Sequence, residues 1–206
     1  MKNKLFILLA LLSLYSCRNY ESKEYITIEN GAINDIIRQL INYDDMVKWN
    51  DFDTTNTKIL LTSTLGTDIM NIDEPEDFDR YFNVNRIKDS EMEYYKKLYS
   101  EMIKNHKKER EAFAPLTKGK LKERIFDYQL EYPNLQIELI PEYSELKENE
   151  YGFLYISRII FNRCFDKGYL SYAFWCGEDC YWSGNIEIIK VNGKWEMSEE
   201  FSGRIA

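Results

Sequence analysis

The stretch that decides the fold is Tyr169–Ser198, YLSYAFWCGEDCYWSGNIEIIKVNGKWEMS. Two tight-turn signals divide it into three runs with strand character. Gly177-Glu178-Asp179 separates Tyr169–Cys176 from Cys180–Val191, and Asn192-Gly193 separates the latter from Lys194–Ser198. Asn-Gly accepts the two positive φ angles of a type I′ turn, the connection that matches strand twist in a two-residue hairpin. On the last run Trp195 and Met197 alternate with Lys194 and Glu196, the period of a half-buried strand. Upstream, Gly152–Arg163 reads as a further strand, turning at Asp166-Lys167-Gly168. The last third of the chain is therefore expected to be an antiparallel meander.

Working toward the N-terminus, the pattern changes from strand to helix. Ser90 and Glu93 have the spacing of a capping box, in which each side chain satisfies a free N–H at a helix start. Met92, Tyr95, Leu98, Tyr99, Met102 and Ile103 then form one stripe, down to about Phe113, with Pro115 as the expected breaker. A shorter helix is expected over Lys118–Tyr128, and strands over Leu135–Ile140 and Lys58–Ser63. An earlier helix is read over Gly31–Lys48 from Ile33, Ile36, Ile37, Leu40 and Ile41, with Asn30 as its N-cap. Gly66–Asp89, which contains the acidic run Asp73–Asp79, reads as a long surface loop. Helices followed by strands give the expected class: α+β, with two or three helices packed on one face of a C-terminal antiparallel β-meander.

At the N-terminus, Lys2 and Lys4 precede the unbroken apolar run Leu5–Leu12, and small or polar residues lead to Cys17. A positive start, a short apolar core and a small-residue site make a secretory signal peptide over residues 1–16. The run is too short to cross about 30 Å of hydrocarbon. Leu14-Tyr15-Ser16-Cys17 resembles the lipobox of bacterial lipoproteins, with Tyr15 the one departure from its small-residue pattern. That resemblance implies a lipid on Cys17, cleavage before it and a place in the cell envelope. Arg18 in the position after the cysteine, where Asp would mark the inner membrane, implies the outer membrane. Residues 17–28 are then expected to be a lipid-anchored tether and residues 29–206 a single domain.

Composition restricts the partners. The chain has 27 Lys and Arg against 35 Asp and Glu, a net charge of −8, and loss of Lys2 and Lys4 makes the mature form more acidic. Phosphate backbones demand a basic face, so nucleic acid is excluded as a partner. The membrane, reached through the lipid anchor, and a protein or glycan are the expected partners. Sixteen Tyr, eleven Phe and four Trp supply ample apolar area for a core.

Cysteine use agrees with export, since oxidising compartments permit disulfides. Cys176 and Cys180 flank a tight turn and are expected to form a bridge, because facing residues beside such a turn reach the required Cα separation. If Cys164 pairs across the sheet with about Leu170, Cys176 lies opposite about Arg158, so Cys164 is left free and buried. A redox dithiol would want two intervening residues, and zinc would want four ligands in a chain with a single histidine, His106. His106 reads as a packed or exposed helix residue. No nucleophile elbow, zinc-protease helix or phosphate-cradling glycine loop occurs, so no catalytic, metal or cofactor residues are assigned. The surface expected to bind is aromatic: Tyr172, Trp175, Trp182 and Trp195, grouped in the meander. The reading is a membrane-anchored, non-enzymatic binding protein. An anchored inhibitor or immunity protein, or a hydrolase acting through a carboxylate pair, are its rivals.

Overall fold

A computed structural model describes residues 19–42, 58–69, 77–82, 86–127, 129–130, 136–142, 145–177 and 180–205. The expected signal peptide over residues 1–16 and Cys17 lie outside the described residues. Within them the chain is mixed α+β: three helices and a large curled sheet whose strands are mostly antiparallel.

The helices are α1 (Lys23–Asn42), α2 (Phe78–Phe82) and α3 (Met92–Thr117). The strands are β1 (Lys58–Thr62), β2 (Thr64–Leu65), β3 (Arg124–Ile125), β4 (Gln136–Ile140), β5 (Glu150–Ile156), β6 (Ile160–Phe161), β7 (Lys167–Gly177), β8 (Cys180–Val191) and β9 (Lys194–Ile205). The main sheet runs β4-β1-β5-β7-β8-β9, with β6 added against β7, and β2 pairs β3 in a small second sheet. β1 runs parallel to both its neighbours, β4 and β5, whereas β5, β7, β8 and β9 are antiparallel in turn. Asn192 and Gly193 have φ of 51° and 87°, both positive, as a type I′ turn between β8 and β9 requires.

Side-chain alternation gives each face its own composition. On one face Leu154, Ile156, Leu170, Tyr172, Phe174, Ile186, Ile188 and Trp195 are buried. They meet Ala32, Ile33, Ile36, Ile37 and Leu40 of α1 in the principal core. α1 is also stitched to β9 by polar bonds: the Trp195 N–H donates to Asp35 (3.0 Å) and the Met197 N–H to Gln39 (2.9 Å). On the other face α3 brings Phe113 and Leu116 against Ile160 and Leu121. The helices therefore cover both faces, which corrects the one-face arrangement expected from the sequence. The signal was hidden because the face under α3 is polar. Ser171, Asn185 and Glu187 are buried there, and the Asn185 amide donates to the buried Glu109 of α3 at 2.7 Å. A polar residue on a strand reads as solvent-facing unless a partner for it is known.

Several expected boundaries move. The tether expected over 17–28 gives way at Lys23, where α1 begins, eight residues before Gly31; the part of that helix expected beyond Asn42 lies outside the described residues. Asn30 is buried inside α1 and accepts a bond from Arg124, so it is not an N-cap. α3 starts without a side-chain cap, with Glu91 in the cap position in place of the Ser90–Glu93 box. Pro115 does not end α3. It sits in the last turn, where few bonds remain to be lost, and Gly119 at φ 63° terminates the helix instead. The described part of the helix expected over Lys118–Tyr128, residues 118–127, is not helical: it contains a turn and β3. The strand expected over Gly152–Arg163 breaks after Ile156, resumes only as β6, and turns over Arg163–Asp166. β5 and β7 pair Ile156 with Tyr172 and Phe153 with Trp175, so Cys176 lies toward Gly152 and not opposite Arg158.

Candidate functional site

The four aromatic residues expected to form a platform do not share a surface. Tyr172 and Trp195 are buried in the core at 1% and 3% exposure. Trp182 stacks on the buried Phe174 with ring centroids 4.6 Å apart. Trp175 alone occupies the opposite face, in a cross-strand row with Phe153 and Tyr181, each half-buried. The platform failed because aromatic residues in a sheet with two covered faces are core first.

Large exposed apolar side chains collect elsewhere, at α2 and the N-terminal half of α3. Tyr94 is 65% exposed, Tyr81 52% and Leu98 40%. They cap a chain of ring contacts. Tyr81 meets Phe82 at 4.8 Å, Phe82 meets Tyr95 at 5.2 Å, and Tyr95 meets Tyr94 at 5.4 Å. Phe78 adds contacts to Phe82 and Tyr99, both at 5.4 Å. Most of these contacts are edge-on or tilted, the favoured geometries for rings with negative faces and positive edges. The local reason is helical spacing. Tyr95 and Tyr99 stand one turn apart on α3 and receive the two phenylalanines of α2, which leaves Tyr94 and its i+4 neighbour Leu98 on the outer flank. The surface around it carries both signs: Arg80, Lys96, Lys97 and Lys104 are exposed, beside Asp77, Asp79, Glu91, Glu93 and Glu101.

His106 lies half-buried further along α3, beside a groove of about 560 Å³ lined by Ile103, Lys107, Arg110, Ala114 and Lys118 among others. Every described residue of that groove belongs to α3 and the residue after it, so no second element brings chemistry to the histidine there.

The buried charges form structural pairs. Arg158, fully buried, donates from Nε to Glu29 (2.9 Å) and from its two Nη atoms to the carbonyls of Lys122 (2.6 Å) and Tyr20 (2.8 Å). Glu29 also accepts from Arg124 Nε (2.7 Å) and the Ile159 N–H (2.8 Å). Burial works to lower the Arg158 pKa, but Glu29 outweighs it and the guanidinium is held charged. Glu187 is likewise opposed by burial, yet bonds from Lys167 and Ser198 hold its carboxyl below the usual range. Glu150 is held low chiefly by the Lys147 N–H, with Lys58 assisting. These carboxylates all serve as acceptors for donors of the fold itself. Among the described residues no three His, Cys, Asp or Glu side chains gather to hold a metal ion.

Cys176 and Cys180 are bridged, with Cα atoms 5.1 Å apart across the end of the β7–β8 hairpin. Cys164 is free but exposed, not buried, because it stands in the β6–β7 turn where Asn162 and Asp166 bind each other. Sequence reasoning missed Tyr81, Tyr94 and Leu98 as surface residues. The available signal was a second helical flank, since Tyr94 is out of phase with the Tyr95–Tyr99 stripe. No protein-family model, curated protein or solved structure matches this chain.

Proposed function

We propose that this chain is an exported lipoprotein, acylated at Cys17 and held in the cell envelope, at the outer membrane, where it binds a partner protein through the aromatic patch of α2 and α3. The observation that carries the binding reading is the exposure of Tyr81, Tyr94 and Leu98 on one connected cluster. Contiguous apolar surface of this kind, rimmed by charge, marks interaction sites, and tyrosine is enriched among the residues that dominate interface energetics. An exposed helix flank rimmed by charges of both signs suits a partner with an apolar groove edged by complementary polar groups. The address is supported by the lysine-led apolar run, the lipobox resemblance and a disulfide compatible with an oxidising compartment.

A photo-crosslinking residue placed at Tyr94 in native envelopes tests the reading, with the exposed Glu196 on β9 as control position. Adducts specific to position 94 and abolished by Tyr81→Ser support it. Identical adducts from both positions, or none from either, refute the binding surface. Mass analysis of the N-terminal peptide tests the anchor separately.

A further inference from the structure

We infer that one pole of the molecule rests on the lipid headgroups, and that α3 acts as a strut holding the docking patch about 30 Å from that pole. The pole comprises the N-terminus of α1, the C-terminus of α3 and the β6–β7 turn. The inference rests on acylation of Cys17.

The argument starts from missing slack. The chain is fixed from Asn19 onward: the Ser22 N–H donates to the Asn19 carbonyl (3.2 Å) and the Glu21 N–H to the Asn19 side chain (3.0 Å). Arg158, itself fully buried, binds the Tyr20 carbonyl (2.8 Å) and the Glu21 carboxylate (3.2 Å). The Tyr20 ring packs on both core clusters, edge-on to Tyr25 at 5.4 Å. Only two residue steps, at most about 7 Å of chain, separate Cys17 from Asn19. A lipid on Cys17 therefore brings whatever surrounds Tyr20 to the bilayer surface.

What surrounds Tyr20 is known. One of its clusters contains Phe113, Leu116 and Leu121, the C-terminal end of α3 and the residues just past it. The other contains Tyr25, whose ring meets Phe165 of the β6–β7 turn at 5.8 Å. From Phe113 back to Tyr94 is continuous α-helix. At 1.5 Å per residue this is about 30 Å of rigid rod. The patch thus lies at the far end of α3 from the anchored pole, and with that pole on the headgroups the rod carries it away from the lipid.

The native cysteines supply the test. With Cys17 acylated and Cys176 bridged to Cys180, Cys164 is the single reactive thiol, and it lies on the proposed contact pole. The full lipidated chain is reconstituted into phosphatidylethanolamine–phosphatidylglycerol vesicles carrying a headgroup-region quencher. A fluorophore sits either on Cys164 or, in a Cys164→Ser background, on Lys97→Cys beside the patch. Cys164 fluorescence is expected to be quenched several-fold more than the position-97 signal. Inserting about ten Gly-Ser residues after Arg18, a coil spanning roughly 17 Å, is expected to shrink that difference. Equal quenching at both positions, or stronger quenching at 97, overturns the inference while leaving the anchor intact. An unacylated Cys17 in the mass spectrum removes the anchor and the inference together.

Discussion

Arg158 is the most demanding single residue in this protein. Its guanidinium has no solvent exposure, and its donors are distributed over Glu29, Glu21 and two backbone carbonyls. A buried ion pair adds little net stability, because desolvation cancels most of the attraction. Breaking it is another matter: Glu29 keeps Arg124 but loses its most buried donor, and the Lys122 and Tyr20 carbonyls lose theirs. Arg158→Met is expected to destabilise by about 3–5 kcal/mol, read as a lowered urea midpoint at unchanged slope. Arg158→Lys is expected to recover little, because an ammonium cannot reproduce the planar fork that reaches four acceptor groups at once. Nothing in the local sequence Ile156-Ser157-Arg158-Ile159-Ile160 announces this burial. An arginine on or beside a strand ordinarily reaches solvent, and the partners that bury this one lie far away in the chain.

At the scale of elements, the β7–β8 hairpin shows which local features survive into the fold. The bridge between Cys176 and Cys180 was legible because spacing across a tight turn is a local property. Its contribution is bounded by the same locality. In the loop-entropy model so short a loop removes little freedom from the unfolded chain, so Cys176→Ser with Cys180→Ser is expected to cost about 2 kcal/mol. A shift in denaturant midpoint well above that would mean that the turn organises packing beyond itself. α3 shows the contrasting case. Its existence and its Tyr95–Tyr99 stripe were legible, but its end at Gly119 in place of Pro115 was not, nor was the outward position of Leu98. Helical period says which residues share a face. Only the position of α2 and the sheet says which face is covered.

Across the whole molecule, stability is expected to depend on acid in a defined direction. The carboxyls of Glu187 and Glu150 are held below their ordinary value of 4.5 by donors that exist only in the fold. A carboxylate with a depressed folded pKa contributes stability that is present above its unfolded value and lost as the pH falls through the folded one. Urea midpoints should thus hold at neutral pH and decline as the pH drops through 4.5 and below. Glu187→Gln should flatten that decline while lowering the neutral-pH midpoint. A decline of unchanged steepness in the variant would assign the acid sensitivity to other groups.

The sequence by itself determined the local geometry: strand alternation in the last third, the Asn192-Gly193 reversal, the cysteine pair across its turn, and the α+β mixture. Each follows from neighbours a few residues apart, where φ preferences and side-chain period act directly. Tertiary structure alone decided the parallel pairing of β1 with β4 and β5, the helix on each sheet face and the burial of Tyr172 and Trp195. It also decided the burial of Arg158 and the exposure of Tyr81 and Tyr94. Whether a side chain meets solvent depends on what lies opposite it in space. For Arg158 and Glu29 the partner is 129 residues away, a separation no local pattern encodes.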